Sequence, residues 1–187
     1  MPLPIIDFRA RLMTLIRTGD RGDSGRAAWE EVRVALNLMG LVIRTDFSDQ
    51  TAWEEVQERL RAGLEELGNS YSGSVQNGDL GLLVVDEASY ESLTADQAAG
   101  LVEETNDDMH AAVFLADDVT MSSEDKLLLA VGSKEEALDN WGQEGSWKWK
   151  FRIRPEMVAI VHLALSGDGP SFSEHFESVD DNSVYPY

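Results

Sequence analysis

The sequence predicts an α/β fold, a three-layer open sheet with a parallel βαβαβ core between helices. Three observations support this prediction: three apolar segments end on aspartate, helical segments with capping signals separate them, and 187 residues are enough for one buried core. The segments that we expect to form parallel strands are residues 41–46, 81–86 and 112–117.

Residues 51–67 are the clearest predicted helix, because their apolar side chains recur at helical spacing along one face. Thr51 and Glu54 have the spacing of a capping box, and Gly68 provides a C-terminal stop. We therefore expect this helix to connect the first two strands.

Thr94 and Gln97 repeat the capping-box spacing before a second helix, which we expect to end near Asn106. Strand, helix, strand, helix, strand is the pattern of a parallel sheet, and right-handed crossovers direct all three strands the same way. The aspartates that follow the strands should therefore lie at one edge of the sheet.

After the third strand the pattern changes, and we expect the remaining strands to be antiparallel or mixed. Residues 127–132 are predicted as a short buried strand, and residues 133–145 as a loop with at most one helical turn. Residues 158–165 are so uniformly apolar that periodicity leaves helix and strand both open. Ser171 and Glu174 predict a short helix near the C-terminus.

Residues 147–154 alternate between apolar and basic side chains, which is typical of a strand with two different faces. The predicted apolar face consists of Trp147, Trp149, Phe151 and Ile153. The predicted basic face consists of Lys148, Lys150, Arg152 and Arg154. This basic face has two interpretations: it binds an anionic ligand or a partner, or it discourages pairing at a sheet edge.

We expect residues 1–40 to form a helical N-terminal extension of a single domain that covers residues 41–187. Two helices are predicted in this extension, at residues 4–18 and 26–38. The letters LIRT and AWEEV of this region recur further along as VIRT and AWEEV. A partial duplication, with an extra strand within residues 12–37, is therefore an open alternative.

The negative charge is concentrated in the second part of the chain. Residues 1–61 hold 10 acidic and 9 basic side chains and residues 62–187 hold 25 and 6, so the two parts carry −1 and −19 of the total −20. Such a surface repels phosphate groups and attracts basic proteins, which argues against direct nucleic-acid binding. High negative charge also favours solubility by itself.

The sequence contains no cysteine, which excludes disulfides and thiolate metal sites. The N-terminus lacks the apolar core of a signal peptide, and no apolar run reaches the roughly 18 residues of a membrane span. We therefore expect a cytoplasmic protein without a membrane segment. The sequence leaves its oligomeric state open.

Several ordered motifs, TDFSDQTAW, VVDEASY, FLADD and FRIRP, resemble those of a small uncharacterised bacterial family of domains of unknown function. The resemblance covers residues 41–187 and includes Asp46, Asp86, Asp117 and Arg152. It implies one domain from residue 41 onward and carries no activity with it. The chain departs from the family pattern in its basic WKWK segment and its long acidic loop.

Four aspartates follow the predicted parallel strands, and they are the candidate site residues: Asp46, Asp86, Asp117 and Asp118. Open α/β folds place their ligands at this edge of the sheet. Carboxylate oxygens suit Mg²⁺ or Mn²⁺, which often meet phosphate groups. If arginines such as Arg44 or Arg152 neutralise the aspartates instead, or if the aspartates cap helices, the cluster is structural.

Sequence signatures of other catalytic classes are absent. The chain contains no GxxxxGK[ST] or GxGxxG phosphate loop and no GxSxG nucleophile motif. Its three histidines are far apart in sequence, which does not suggest a zinc site. We therefore expect no cofactor, unless the aspartates bind Mg²⁺ or Mn²⁺.

Two functions remain after these exclusions. The first is an acidic binding or regulatory protein, such as an inhibitor of immunity or antitoxin type, that engages a basic partner protein. The alternative is a divalent-metal-dependent enzyme for phosphoryl transfer or phosphodiester hydrolysis that uses the aspartates. We rank the first higher because every catalytic signal in the chain also has a structural explanation.

Overall fold

The computed structural model of the chain describes residues 39–70, 81–105, 112–142, 147–166, 169–179 and 184–186. Five strands and six α-helices lie in these parts of the chain. The helices predicted at residues 4–18 and 26–38, and the alternative strand within residues 12–37, lie outside the described residues.

The strands form one mixed sheet. Their bounds are β1 Met39–Arg44, β2 Gly81–Val85, β3 Val113–Ala116, β4 Leu128–Val131 and β5 Lys150–Ile153. Their order across the sheet is β2-β1-β3-β4-β5. β1 pairs in parallel with both β2 and β3, β4 is antiparallel to β3, and β5 is antiparallel to β4. The predicted parallel core with an antiparallel addition is therefore confirmed.

The helix bounds are α1 Gln50–Ser70, α2 Ala95–Thr105, α3 Asp118–Ser122, α4 Lys134–Trp141, α5 Val158–Leu165 and α6 Phe172–Glu177. Two short 3-10 turns lie at Ala88–Tyr90 and Pro155–Met157. Because α1 follows β1 and α2 follows β2, the predicted order of strands and helices through β3 is also confirmed.

Buried side chains form one cluster on each face of the sheet, as the alternation of side chains along a strand requires. Val42 and Phe114 belong to the cluster beneath α1, α3, α5 and α6. Their chain neighbours Ile43 and Leu115 belong to the opposite cluster, beneath α2 and α4. The sheet is thus the middle of three layers, as predicted.

The packing of α1 fixes the relative position of the two parts of the sheet. Gly63 approaches the 3-10 turn so closely that an added β-carbon would lie 2.1 Å from the carbonyl oxygen of Glu156. Arg59, one turn earlier, donates to both carboxylate oxygens of Glu156, at 2.5 and 3.1 Å. This contact joins the parallel and antiparallel parts of the domain.

The predicted bounds of α1, residues 51–67 with a stop at Gly68, were wrong at both ends, because the helix starts one residue earlier and continues through Gly68 to Ser70. The helix begins at Gln50, and the side chain of Asp49 accepts a hydrogen bond from the backbone N–H of Ala52 at 2.9 Å. Asp49 therefore caps the helix, and Thr51 lies inside its first turn. A short side-chain acceptor just before the helix satisfies an N–H group that has no partner within the helix.

Two further corrections concern the second half of the chain. Residues 133–145 were predicted as a loop, but Lys134–Trp141 form α4, which Ser133 caps by accepting from the N–H of Glu136. The open choice at residues 158–165 is settled as a helix, α5. The predicted capping box of Ser171 and Glu174 is confirmed at the start of α6.

The predicted strand at residues 147–154 is shorter than expected and does not have the expected faces. β5 contains only Lys150–Ile153, because the residues before it form a turn. Phe151 and Ile153 lie in the core cluster beneath α1, whereas Trp149 packs in the opposite cluster and Trp147 is 56% exposed. The alternation cannot continue through a turn, so the predicted single apolar face was wrong.

The described C-terminal residues dock on β5, where Val184 forms a parallel bridge with Arg152. Among the described residues, no helix has the length and apolar character required to cross a membrane.

Candidate functional site

The carboxyl ends of β1 and β3 border an open cleft with a volume of about 460 Å³. β1 is the central parallel strand, and the helices that follow β1 and β2 cover opposite faces of the sheet. The connections that leave the carboxyl ends of β1 and β2 therefore turn to opposite faces of the sheet. Open α/β folds form their ligand crevice at such a point, here between β1 and β3. The cleft lies on the face covered by α2, since Leu115 and Leu129 line it.

The wall that follows β1 consists of Thr45 and Asp46. The backbone N–H groups of both residues donate to the carbonyl oxygen of Ala116, at 2.9 and 3.2 Å, and the hydroxyl of Thr45 also donates to it. The carboxylate of Asp46 accepts from the N–H of Ser48 at 2.6 Å. This wall is therefore fixed to the end of β3 by backbone contacts.

The opposite wall is the loop from Glu91 to Ala95, which leads into α2. Ser92 has a φ of 65°, a left-handed conformation that is unfavourable for a residue with a β-carbon, and its N–H donates to the carbonyl of Thr45 at 2.9 Å. Thr94 and Gln97 form the predicted capping box through reciprocal backbone and side-chain contacts. These contacts hold the loop over the end of β1.

Asp117 is the best-anchored carboxylate of the site. It accepts two hydrogen bonds from the guanidinium of Arg152, at 2.8 and 2.9 Å, and caps α3 by accepting from the N–H of Thr120. Burial by itself would raise the pKa of Asp117, but Arg152 and Thr120 outweigh it and hold this pKa below its usual range. Asp117 is therefore ionised, and the positive charge of Arg152 balances its negative charge.

The floor of the cleft is apolar. Leu115 and Leu129 are direct partners across β3 and β4, and Arg152 is the next residue in the same row on β5. Because directly paired residues project to the same face of a sheet, the guanidinium of Arg152 lies beside this floor and reaches Asp117 from there. The cleft thus combines an apolar base with a carboxylate rim.

Three rim carboxylates have no cationic partner among the described residues: Asp46, Glu91 and Asp118. Asp118 and Glu91 are exposed, and Asp46 is partly buried. Like charges around one cleft favour binding of a positively charged group, because each carboxylate stabilises that group. Within the described ranges, these three carboxylates are the acidic groups of the rim that a bound cation could contact without displacing an arginine.

Asp86 does not line the cleft. It lies on the α1 face, where Arg44 donates to one of its carboxylate oxygens at 3.3 Å and the indole N–H of Trp53 donates to the other at 2.9 Å. Arg44 is buried, and its guanidinium lies 4.4 Å from the centre of the Phe47 ring. The structure thus brings together Asp46, Asp117 and Asp118, and separates Asp86 from them.

No group of three or more histidine, aspartate or glutamate side chains in the described ranges is arranged to hold a metal ion. Two of the four predicted ligands, Asp86 and Asp117, are paired with Arg44 and Arg152 instead. For these two aspartates, arginine pairing is the structural interpretation that the sequence analysis named as one alternative.

The predicted basic residues of 147–154 are distributed over several environments. Lys148 lies 3.6 Å from the centre of the Trp141 ring, and Lys150 lies 4.7 Å from that of Trp149. Arg152 pairs with Asp117, and Arg154 directly precedes the 3-10 turn. Two of the four residues thus lie against tryptophan rings, and a third forms an ion pair within the fold.

Glu91 is the charged cleft residue that the sequence analysis missed. It follows the 3-10 turn after β2 and belongs to no strand end, so the search for aspartates at strand ends did not find it. The position of Glu91 in the connection from β2 to α2 could have indicated it as a cleft residue, because such connections lie at the carboxyl edge of a parallel sheet. The apolar floor was also missed, since it depends on the pairing of β3 with β4.

A family model described as a domain of unknown function, DUF6924, matches residues 39–186. The chain belongs to the DUF6924 family. The match begins at the first residue of β1 and includes every described strand and helix. It confirms the resemblance to an uncharacterised domain family, and the family description assigns no activity to the cleft. No curated protein and no solved structure matches the chain.

Proposed function

We propose that this DUF6924 protein is an acidic binding or regulatory protein that engages a basic partner protein through the cleft between β1 and β3. The observation that carries this proposal is a set of three rim carboxylates that have no cationic partner in the described part of the chain, namely Asp46, Glu91 and Asp118. The fold supplies its own arginines to Asp86 and Asp117, but none to these three among the described residues.

The cleft suits a long basic side chain. The aliphatic part of an arginine or lysine packs on the floor of Leu115 and Leu129, and its charged end reaches the rim carboxylates. The wider surface favours the encounter, because residues 62–187 carry −19 of the total charge. The positive N-terminal end of α2 lies at the same wall and opposes this attraction in part, although Asp96 in its first turn reduces the effect.

We propose that this protein acts as an inhibitor of immunity or antitoxin type, by covering a basic surface of its partner. An acidic surface repels phosphate, so nucleic acid is not the proposed ligand. The cleft binds the partner specifically, and the remaining acidic surface attracts the partner over longer distances.

Two triple variants with equal net charge test this proposal. The cleft variant is Asp46→Asn, Glu91→Gln and Asp118→Asn. The control variant is Glu58→Gln, Glu65→Gln and Glu66→Gln, on the exposed face of α1. Each removes three negative charges from −20 and therefore carries −17. The probe is a labelled arginine- and lysine-containing peptide, followed by fluorescence anisotropy at about 0.05 and 0.3 M salt.

The proposal predicts that the cleft variant loses at least tenfold in affinity, whereas the control loses less than threefold. Binding of the wild-type chain should weaken at the higher salt concentration, because its charges are then screened. Equal losses in both variants would show that only the overall charge attracts the peptide, and the cleft would be excluded as the anchor.

The metal-dependent alternative has its own test. We expect Mg²⁺ and Mn²⁺ to raise the melting temperature no more than sodium chloride of equal ionic strength does, because arginines already neutralise Asp86 and Asp117. A saturable increase with Mg²⁺ or Mn²⁺ that disappears in the double variant Asp46→Asn, Asp117→Asn would instead support the phosphate-handling enzyme.

A further inference from the structure

A group of exposed aromatic and apolar side chains lies at the edge of the sheet opposite the cleft. Lys150, the first residue of β5, pairs with Val131 on β4, and Val131 pairs with Val113, the first residue of β3. The residues just before β5 therefore lie near the amino end of β3, whereas the cleft lies at its carboxyl end. A ligand bound at one edge leaves the other edge open.

The tryptophan surface, as we call this group, consists of Leu138, Trp141, Trp147 and Lys148. Leu138 is 42% exposed and lies three residues before Trp141 on α4, so the two side chains are neighbours on the helix. Trp147 is 56% exposed, and its ring meets Phe176 edge to face with 5.4 Å between ring centres. Tryptophan is enriched at protein contact sites, and a ring already held by packing loses less freedom on binding.

The ammonium group of Lys148 is held by the faces of both indole rings. Its nitrogen lies 3.6 Å from the centre of the Trp141 ring and 5.5 Å from that of Trp147. In the part of the chain that the structure describes, this ammonium group has no carboxylate within ion-pair distance and donates no hydrogen bond. Lys148 is therefore a positioned cation whose N–H donors are available to an anion.

The other three lysines differ from Lys148, because each has an acidic neighbour. Lys126 lies 3.9 Å from a carboxylate oxygen of Glu55. Lys134 binds Asp96 and, with a smaller effect from Lys150, lowers the pKa of that carboxyl. A chain with 35 acidic residues thus leaves Lys148 on two tryptophans instead of pairing it within the described residues.

We propose that the tryptophan surface is a second docking site, for a segment of a partner protein in which one carboxylate lies beside an apolar side chain. The carboxylate pairs with the ammonium group of Lys148. The apolar side chain packs on the two indole rings and on Leu138. This site is distinct from the cleft and prefers the opposite charge.

The surroundings limit this ligand to a single negative charge. Asp139 on α4 and Glu177 beside Phe176 are both exposed, and the negative end of α4 lies at Trp141. Residues 62–187 carry −19 in total, so a ligand with several carboxylates or phosphates is repelled. Charge complementarity therefore favours a mainly apolar segment with one carboxylate over an acidic tail or a nucleic acid.

The test is a nuclear magnetic resonance titration of the ¹⁵N-labelled full-length chain, observed at the tryptophan indole N–H groups. The probe is the acetylated and amidated peptide SLFELFS, and in the control peptide SLFQLFS glutamine replaces the glutamate. We expect saturable shifts at the indoles of Trp141 and Trp147. The glutamine peptide should bind about fivefold more weakly, because it lacks the charge partner of Lys148.

Two variants with equal net charge identify the residue responsible. Lys148→Met retains a long side chain on the tryptophans but removes the ammonium group, and the matched control is Arg61→Met on the exposed face of α1. Each removes one positive charge from −20 and therefore carries −21. We expect Lys148→Met to bind both peptides equally, about fivefold more weakly than wild type binds the glutamate peptide, and Arg61→Met to bind as wild type does.

Three results would overturn the proposal: no saturable shift, equal losses in the two variants, or a preference for the glutamate peptide that persists in Lys148→Met. Shifts of the Trp147 indole that depend on protein concentration without peptide would show that a second copy covers the surface, and would also overturn it. The comparison of the two peptides on the wild-type chain requires no variant, so the test does not depend on the folding of Lys148→Met.

Discussion

At the scale of single residues, Asp117 illustrates how one side chain satisfies several requirements of the fold. Its carboxylate pairs with Arg152, caps α3 and borders the cleft. Its neighbour Asp118 lines the same cleft but makes no ion pair among the described residues. Two adjacent aspartates thus have different roles, one in stability and one in the proposed binding site.

We expect Asp117→Asn to lower the free energy of unfolding by about 2 kcal/mol, between the values typical of exposed and buried ion pairs. Asparagine retains the cap but leaves Arg152 without its charge partner. The matched control Asp118→Asn should change stability by less than about 0.5 kcal/mol, as surface substitutions usually do. Urea denaturation of the three proteins measures both effects.

The pH dependence of the Asp117 effect follows from the lowered pKa of its carboxyl. The native state holds this group ionised, so its stabilisation is present above the unfolded pKa and is lost as pH falls through the folded pKa. The difference between wild type and Asp117→Asn should therefore be largest near pH 7 and decrease below about pH 4. A difference that does not change with pH would contradict this explanation.

His175 predicts a second pH effect, near neutrality. Burial lowers the pKa of His175, although the charge of Glu174 opposes the shift, so the native state favours the neutral ring. Stability is then fully present above the unfolded pKa of about 6.5 and decreases as pH falls below it. In His175→Asn the loss of stability between pH 7 and pH 5 should be smaller than in wild type. Urea denaturation at each pH tests this, and equal losses would refute it.

At the scale of elements, the sequence predicts best where the signals are local. Capping boxes at Thr94 and Ser171 identified α2 and α6, and alternating burial agrees with the predicted strands. α4 was missed although Ser133 and Glu136 have the same spacing, because the segment has few apolar residues.

What the sequence could not predict depends on contacts between distant segments. Pairing of β3 with β4 places Leu115 beside Leu129 and creates the floor of the cleft. The start of β5 depends on a turn at residues 147–149, which the regular alternation of side chains conceals. The pairing of strands and the packing of distant segments, rather than local propensity, determine the cleft floor and the start of β5.

Two glycines of α1 provide a matched test of element packing. Gly63→Ala should lower stability by about 2 kcal/mol, because the new β-carbon meets the backbone of Glu156 and overpacking has costs of this size. Gly68→Ala should raise stability by about 0.5 kcal/mol, since nothing lies within 4 Å of its added β-carbon and alanine favours helices. Thermal or urea unfolding distinguishes the two, and a stabilising Gly63→Ala would contradict the described packing of α1.

At the scale of the whole molecule, the fold pairs Asp86 and Asp117 with its own arginines and leaves other acidic groups at the cleft. Arg44 and Arg152 serve the first purpose, on opposite faces of the sheet. In the proposed function, the net charge of −20 attracts a basic partner, and the association rate falls as salt concentration rises. The central claim is that this attraction is focused at the cleft between β1 and β3.

The most direct test of this claim is a nuclear magnetic resonance titration of the ¹⁵N-labelled chain with the arginine- and lysine-containing peptide. We expect saturable shifts to concentrate at the backbone amides of residues 45–46, 91–95 and 117–118, which line the cleft. Shifts spread over the acidic face of α1 around Glu58 and Glu65, with no concentration at the cleft, would contradict it.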